Sequence, residues 1–225
     1  MSFVAAAIKW VDLRARVDPL TGEVATDPLT SSVSDADLAA LEWSLRLGEA
    51  WGWETVAVTA GPPGAEAVLR TALSAGVDRA LRVDMAPDSP SASVAAGLAG
   101  ALEGAGVVLC GDWSLDRGSG SVPPFLAARL GAAQACGLVG LEPGEAGTVV
   151  AERRLDGGRR ERLRATSPAV LSVEGSTARL RRAAMPAVLA SRSATVEVVR
   201  GPTGGPRPPV GRHRPLRPRP RVLPP

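Results

Sequence analysis

The residues best equipped for chemistry form the run Gly111-Asp112-Trp113-Ser114-Leu115-Asp116-Arg117-Gly118-Ser119-Gly120-Ser121. It follows the apolar stretch Val107-Val108-Leu109-Cys110 and leads into a helix opened by Pro123 and Pro124. Glycines let a backbone approach a phosphate closely, serine hydroxyls and free amides donate to it, and Arg117 can balance its charge. There is no Walker lysine and no GxGxxG after the first apolar run, so neither a P-loop nor a dinucleotide fingerprint is present. On composition alone the loop is as much a plain turn as an anion site. Elsewhere acid–base equipment is sparse: the sole histidine is His213, and there is no tyrosine. A buried Ser-His-Asp or Cys-His arrangement and a histidine-based metal centre are thereby excluded. Cys110 and Cys136 stand far apart without a neighbouring ligand pattern, as reduced thiols do. This inventory points to binding and positioning rather than to hydrolytic catalysis.

The elements that must hold such a loop are legible in the apolar pattern. Phe3 to Ile8 has the length and composition of a central strand covered on both faces. Val11 to Ser32, with Asp18-Pro19-Leu20-Thr21-Gly22 between two short alternating segments, predicts a projecting hairpin. Ser34 is placed as the N-cap of a helix, with Asp35 and Asp37 near its positive end and Leu38, Leu41 and Leu45 on its apolar face. Further strands are expected at Glu54 to Ala60, Ala80 to Val83 and Val107 to Cys110, with helices between them. Four strands alternating with helices predict a doubly wound parallel α/β sheet, Rossmann-like in architecture. From Gln134 the rhythm changes to alternating runs around Asp156-Gly157-Gly158, which predicts an added antiparallel β layer. Pro168 to Val173 returns to the core, and Thr195 to Val199 is a last short strand.

Length and charge divide the 225 residues in two. A chain of formal net charge +3 carries seven arginines and no acid from Arg200 onward, which leaves −4 on residues 1–199. Nine of the 20 prolines also fall in that last stretch, so residues 1–199 form one α/β domain and 200–225 an Arg/Pro-rich disordered tail. No aromatic residue interleaves these arginines to stack on a base, so no nucleic-acid partner is expected. The N-terminus lacks the pattern of a signal peptide and no stretch suits a membrane span, which suggests a cytoplasmic protein.

Between Val4 and Val199 the chain resembles the beta subunit of electron-transfer flavoproteins. The matching stretches are Ala7-Ile8-Lys9, Ala40 to Leu47, and Val56-Ala57-Val58-Thr59-Ala60-Gly61-Pro62 with Leu69 to Ala80. Gly111 to Gln134, Leu155-Asp156-Gly157-Gly158, Pro168-Ala169-Val170 and Met185-Pro186 follow in order. The resemblance implies an adenine-nucleotide-binding type of fold and a heterodimer with an alpha subunit that binds most of the FAD. It also implies AMP in this chain, held by Ala7, Ala57, Gly111 and the loop Asp116, Arg117, Gly118, Ser119, Gly120, Ser121 and Val122, with Ser34 and Asp35 at the helix start. Ala7 and Ala57 equally suit small core positions, and Ser34 a cap. A second implied site is a protruding loop that docks on dehydrogenases, the electron donors, through Met185 just before Pro186.

Several positions depart from the family. The loop is poorer in acid, Asn and Gln, the residue expected near the flavin is Leu13 or Arg14 rather than aromatic, and Arg154 replaces an acid. The arm that clasps the alpha subunit is replaced by the Arg/Pro tail. These features look like a divergent branch, of the kind that accompanies the redox cofactor mycofactocin. Alternatives are an electron-bifurcating type, with the loop Asp116 to Pro124 holding a second FAD in place of AMP and Val122 and Pro124 at a compatible spacing, and a stand-alone nucleotide sensor.

Overall fold

The computed structural model describes residues 2–202. The chain begins with β1 (Phe3–Ala7), whose Val4, Ala5 and Ala6 are fully buried because helices cover both faces of the strand. Four two-residue strands follow: β2 (Val11–Asp12), β3 (Arg16–Val17), β4 (Val24–Ala25) and β5 (Ser31–Ser32). β2 pairs with β5 and β3 with β4, both antiparallel, which makes the expected hairpin. Its turn is held by Asp18, whose carboxylate accepts from Leu20 and Thr21, and by Gly22 at φ 73°.

α1 (Asp35–Trp51) is capped by Ser34, whose Oγ accepts from the Asp37 amide, and ends at Gly52 in the left-handed region. β6 (Thr55–Gly61), α2 (Glu66–Ala75), β7 (Arg79–Asp84), α3 (Ser91–Ala101), β8 (Ala105–Gly111) and α4 (Val122–Leu130) complete the parallel part. β9 (Ala133–Pro143), β10 (Thr148–Arg154), β11 (Arg160–Thr166) and β12 (Ala169–Val173) come next, and α5 (Met185–Ser193) and β13 (Glu197–Arg200) end the described chain.

One nine-stranded sheet runs β11-β10-β9-β12-β8-β1-β6-β7-β13. Every pair from β9 to β13 across this order is parallel, whereas β9, β10 and β11 form an antiparallel meander. The antiparallel strands are therefore present as an edge extension of the same sheet. β9 makes this join: its first half pairs with β12, its second with β10, and between them Gly137 adopts φ 68°. α1 and α2 cover one face and α3 and α4 the other. Leu41, Leu47, Leu69, Leu109 and Leu126 are almost completely buried, each contributing about 1.5–3 kcal/mol of apolar burial. At the far edge Arg200 pairs with Asp84 and the Gly201 amide donates to the Asp84 carbonyl, so the chain stays on the sheet past residue 199. The Arg/Pro tail beyond residue 202 lies outside the described residues.

Candidate functional site

In an open α/β sheet a ligand binds beyond the carboxyl ends of the strands where the winding reverses. That point lies between β1 and β8: α1 carries the chain from β1 to β6 on one side, and α3 carries it from β7 across to β8 on the other. A cleft of about 800 Å³, including solvent at its mouth, opens there. Its walls are apolar at Ala7, Ala60, Pro87 and Val94, and polar along the loop after β8.

Asp37, the third residue of α1, forms part of the cleft wall and is 8% exposed. Its Oδ2 accepts from the Lys9 amide and its Oδ1 from the Gly111 amide, both at 3.1 Å, so one carboxylate ties the ends of two adjacent strands to the start of a helix. Burial pushes its pKa up to about 6, against the lowering effect of those two amides, Ser34 and the Lys9 charge. Gly111 is required by this arrangement, because a Cβ there would lie 2.6 Å from Asp37 Oδ1 and 3.0 Å from Ala36 Cβ. Cys110, beside it on β8, has its thiol pushed far up by burial and then by the Asp37 charge, so it stays protonated.

The loop after β8 folds on itself. The Ser114 amide donates to the Ser119 carbonyl, and the Gly118 amide, at φ 61°, donates to the Ser114 carbonyl. A Cβ on Gly120 would lie 2.2 Å from the Asp112 carbonyl oxygen, so only glycine passes there. Ser121 precedes α4 without capping it through its side chain, and Pro123 and Pro124 remove two of the amides that a helix N-terminus would otherwise offer. An anion in this cleft therefore has fewer amides at the α4 terminus to rely on. Lys9 Nζ reaches the loop, bonding Asp116 Oδ1 and Oδ2 at 2.5 and 2.6 Å and Ser114 Oγ at 3.0 Å. Burial raises the Asp116 pKa, but the bonds from Lys9 and Ser114 outweigh it and hold the carboxyl below its ordinary value. The Arg117 guanidinium lines the cleft with no hydrogen bond or ion pair among the described residues.

Ala7, Gly111, Arg117, Ser119, Gly120, Ser121 and Val122 line the cleft as a group. Asp116 and Gly118 belong to the same loop but face away from it, Asp116 acting through Lys9. Ala57 does not reach the cleft: it is wholly buried in the middle of β6, under α1 and α2, and Ala60 at the end of that strand takes the wall position. Ser34 is buried as a cap, and Asp35 is exposed beside Gly175 and Ser176. Lys9 and Asp37 were not among the expected site residues, and Ser114 was named only as part of the run after β8. The one local signal was a charged residue at the end of a buried strand and another in the first turn of a helix. Met185 and Pro186 open α5, with Met185 69% exposed and Leu189, one turn on, 54% exposed. α5 is anchored by Arg70, which donates to the carbonyls of Ser191 and Ala194 at 2.6 and 3.0 Å. The segment before it is tied to α1 by Arg181, whose amide and Nε bond Glu42 Oε2 at 3.0 and 3.1 Å and whose Nη1 bonds Glu49.

Among the described residues no group of His, Cys, Asp and Glu is arranged to hold a metal ion, and no helix is long and apolar enough to cross a membrane. Comparison with known proteins adds a family to this geometry. The family described as Electron transfer flavoprotein domain matches residues 21–203. Protein FixA of Azorhizobium caulinodans is 32% identical over 195 residues, covering 82% of this chain and 68% of that protein. Protein FixA of Bradyrhizobium diazoefficiens is 31% identical over 179 residues, covering 74% and 61%. The electron transfer flavoprotein subunit beta of Thermoanaerobacterium thermosaccharolyticum is 30% identical over 162 residues, covering 70% and 62%. The chain thus spans 61 to 68% of the length of these relatives.

Proposed function

We infer the function from one premise: this chain belongs to the electron transfer flavoprotein family. It is of the beta type, and on this reading it pairs with an alpha-type subunit that holds most of an FAD. The flavin supplies the electron-accepting and electron-donating chemistry when bound. This chain contributes the adenine-nucleotide cleft at the β1–β8 reversal and a docking surface for dehydrogenases, of the branch that accompanies mycofactocin.

The observation that carries the reading is the cleft itself. A collapsed loop would leave no room, but the loop packs closely on its own surroundings at Gly111 and Gly120, where a Cβ would clash with Asp37 and with the Asp112 carbonyl, and leaves a cleft open beside it. Its small apolar walls at Ala7 and Ala60 suit a flat base, and Arg117, Ser119 and Ser121 suit a phosphate. Ala7, Gly111 and Arg117 to Val122 are the residues assigned to AMP, and Asp116 belongs to the same loop without lining the cleft; Ser34, Asp35 and Ala57 act on this reading only by shaping the elements around it. Met185, exposed at the head of α5 and backed by Leu189, suits an apolar anchor for a partner protein.

The test is co-expression of the full chain with an alpha-type subunit of the same organism, followed by a visible spectrum and extraction of bound nucleotides. A yellow heterodimer with one FAD and one AMP is expected. Two flavins per heterodimer would reassign the cleft to FAD and the protein to the bifurcating type. A stable homodimer without flavin would point to a nucleotide sensor, and a colourless, unassociated pair would end the carrier reading.

A further inference from the structure

We propose that Lys9 receives the anionic group of the ligand in the cleft and that Asp116 competes for the same ammonium. The proposal rests on the nucleotide reading above and adds to it a binding residue outside the loop and an internal competitor within it.

Lys9 stands two residues past the end of β1 and lines the cleft, yet all three of its ammonium donors are directed at the loop: two at Asp116 and one at Ser114. Ser114 Oγ also donates to Asp116 Oδ1 at 2.5 Å, so the three side chains form a closed cluster. A carboxylate and a phosphate present the same kind of oxygen to an ammonium, and either makes a charge-assisted bond of similar length. Asp116 is therefore chemically equivalent to the group the cleft would bind.

Three observations favour exchange over a permanent structural pair. The side chains of Lys9 and Asp116 are 34% and 35% exposed, so either can regain water when the pair opens. Asp116 would keep Ser114 and the neighbouring charge of Arg117, which already acts on it. The other carboxylate of the site, Asp37, already has both oxygens engaged by the Lys9 and Gly111 main-chain amides. Pro123 and Pro124 also strip two amides from the α4 terminus, so Lys9 and Arg117 are the cations that the cleft lining offers a phosphate. The arrangement gives the cleft a reserve cation whose availability is set by one aspartate.

The experiment measures AMP and adenosine affinities by calorimetry on the full chain and on Asp116→Asn, Lys9→Met and the double variant. Removing the competitor should tighten AMP about two- to tenfold and leave adenosine unchanged, since only the phosphate contends for Lys9. Lys9→Met should weaken AMP by about tenfold or more, towards the adenosine value, and abolish the effect of Asp116→Asn. If AMP binds the unaltered chain but Asp116→Asn weakens it or leaves it unchanged, Asp116 is not a competitor and the proposal is overturned. Equal AMP affinity with and without Lys9 overturns it as well. A chain that binds neither AMP nor adenosine instead removes the nucleotide reading itself, and this proposal with it.

Discussion

Asp37 is the residue on which the geometry of the cleft converges, because its carboxylate joins β1, β8 and α1 through two amides. The same burial that makes this clasp rigid makes its charge costly. Its folded-state pKa of about 6 lies above the ordinary 3.8, so the neutral form is favoured in the folded protein. Below about pH 3.8 the associated stability is fully present, and it is lost as pH rises through about 6, when the buried group must ionise. Asp37→Asn has no such titration. The stability of the native chain relative to that variant should therefore rise on going from pH 7 to pH 4, by up to about 3 kcal/mol. Urea unfolding of both proteins at the two pH values measures this, and a gap independent of pH would mean that the carboxyl titrates normally. Cys110, whose thiol is held protonated by burial and by the Asp37 charge, does not titrate across this range and so does not confuse the comparison.

Among the elements, α5 is held on α2 by Arg70, whereas the strap before it is tied to α1 by Arg181, which bonds Glu42 and Glu49. Glu42 is 4% exposed and shares its carboxylate between Arg46, at 2.8 Å, and Arg181. Arg181→Ala would leave that buried charge with the Arg46 side chain and one amide. A loss of about 1–3 kcal/mol is expected, with faster amide exchange confined to residues 174–184. Unchanged exchange there would show that the strap is fixed by something other than this arginine. The elements themselves were largely legible beforehand: uninterrupted apolar runs announced β1, β6 and β8, and Asp156-Gly157-Gly158 announced the β10–β11 hairpin. Local patterns did not reveal which elements would be neighbours. The bend at Gly137, which makes the antiparallel strands part of one sheet, and the Lys9–Asp116 pair, 107 residues apart, depend on contacts that no local period encodes. Ala57 and Ala60 show the same limit more finely. Both are small residues of one strand, and only the depth of the strand in the sheet decides that the second, not the first, reaches the cleft.

At the scale of the whole molecule the cleft gathers the ends of β1, β6 and β8, the turn between β7 and α3, and the start of α4, whereas β10 and β11 contribute nothing to it. A ligand bound there touches both wings of the sheet, on either side of the β1–β8 pair. Binding to the folded state alone stabilises it by about 2.7 kcal/mol at a ligand concentration 100 times the dissociation constant. For a domain of this size that corresponds to a rise in melting temperature of roughly 5–10 °C. AMP should produce this shift, and the amides it protects from hydrogen exchange should lie after β1, β7 and β8 and at the start of α4. The β10–β11 hairpin should exchange at its former rate, because its cross-strand ion pairs, Arg153–Glu161 and Arg162–Glu142, stand outside the cleft. Protection spread evenly over both regions would show that the nucleotide tightens the sheet as one unit, and that the cleft is not the seat of the effect.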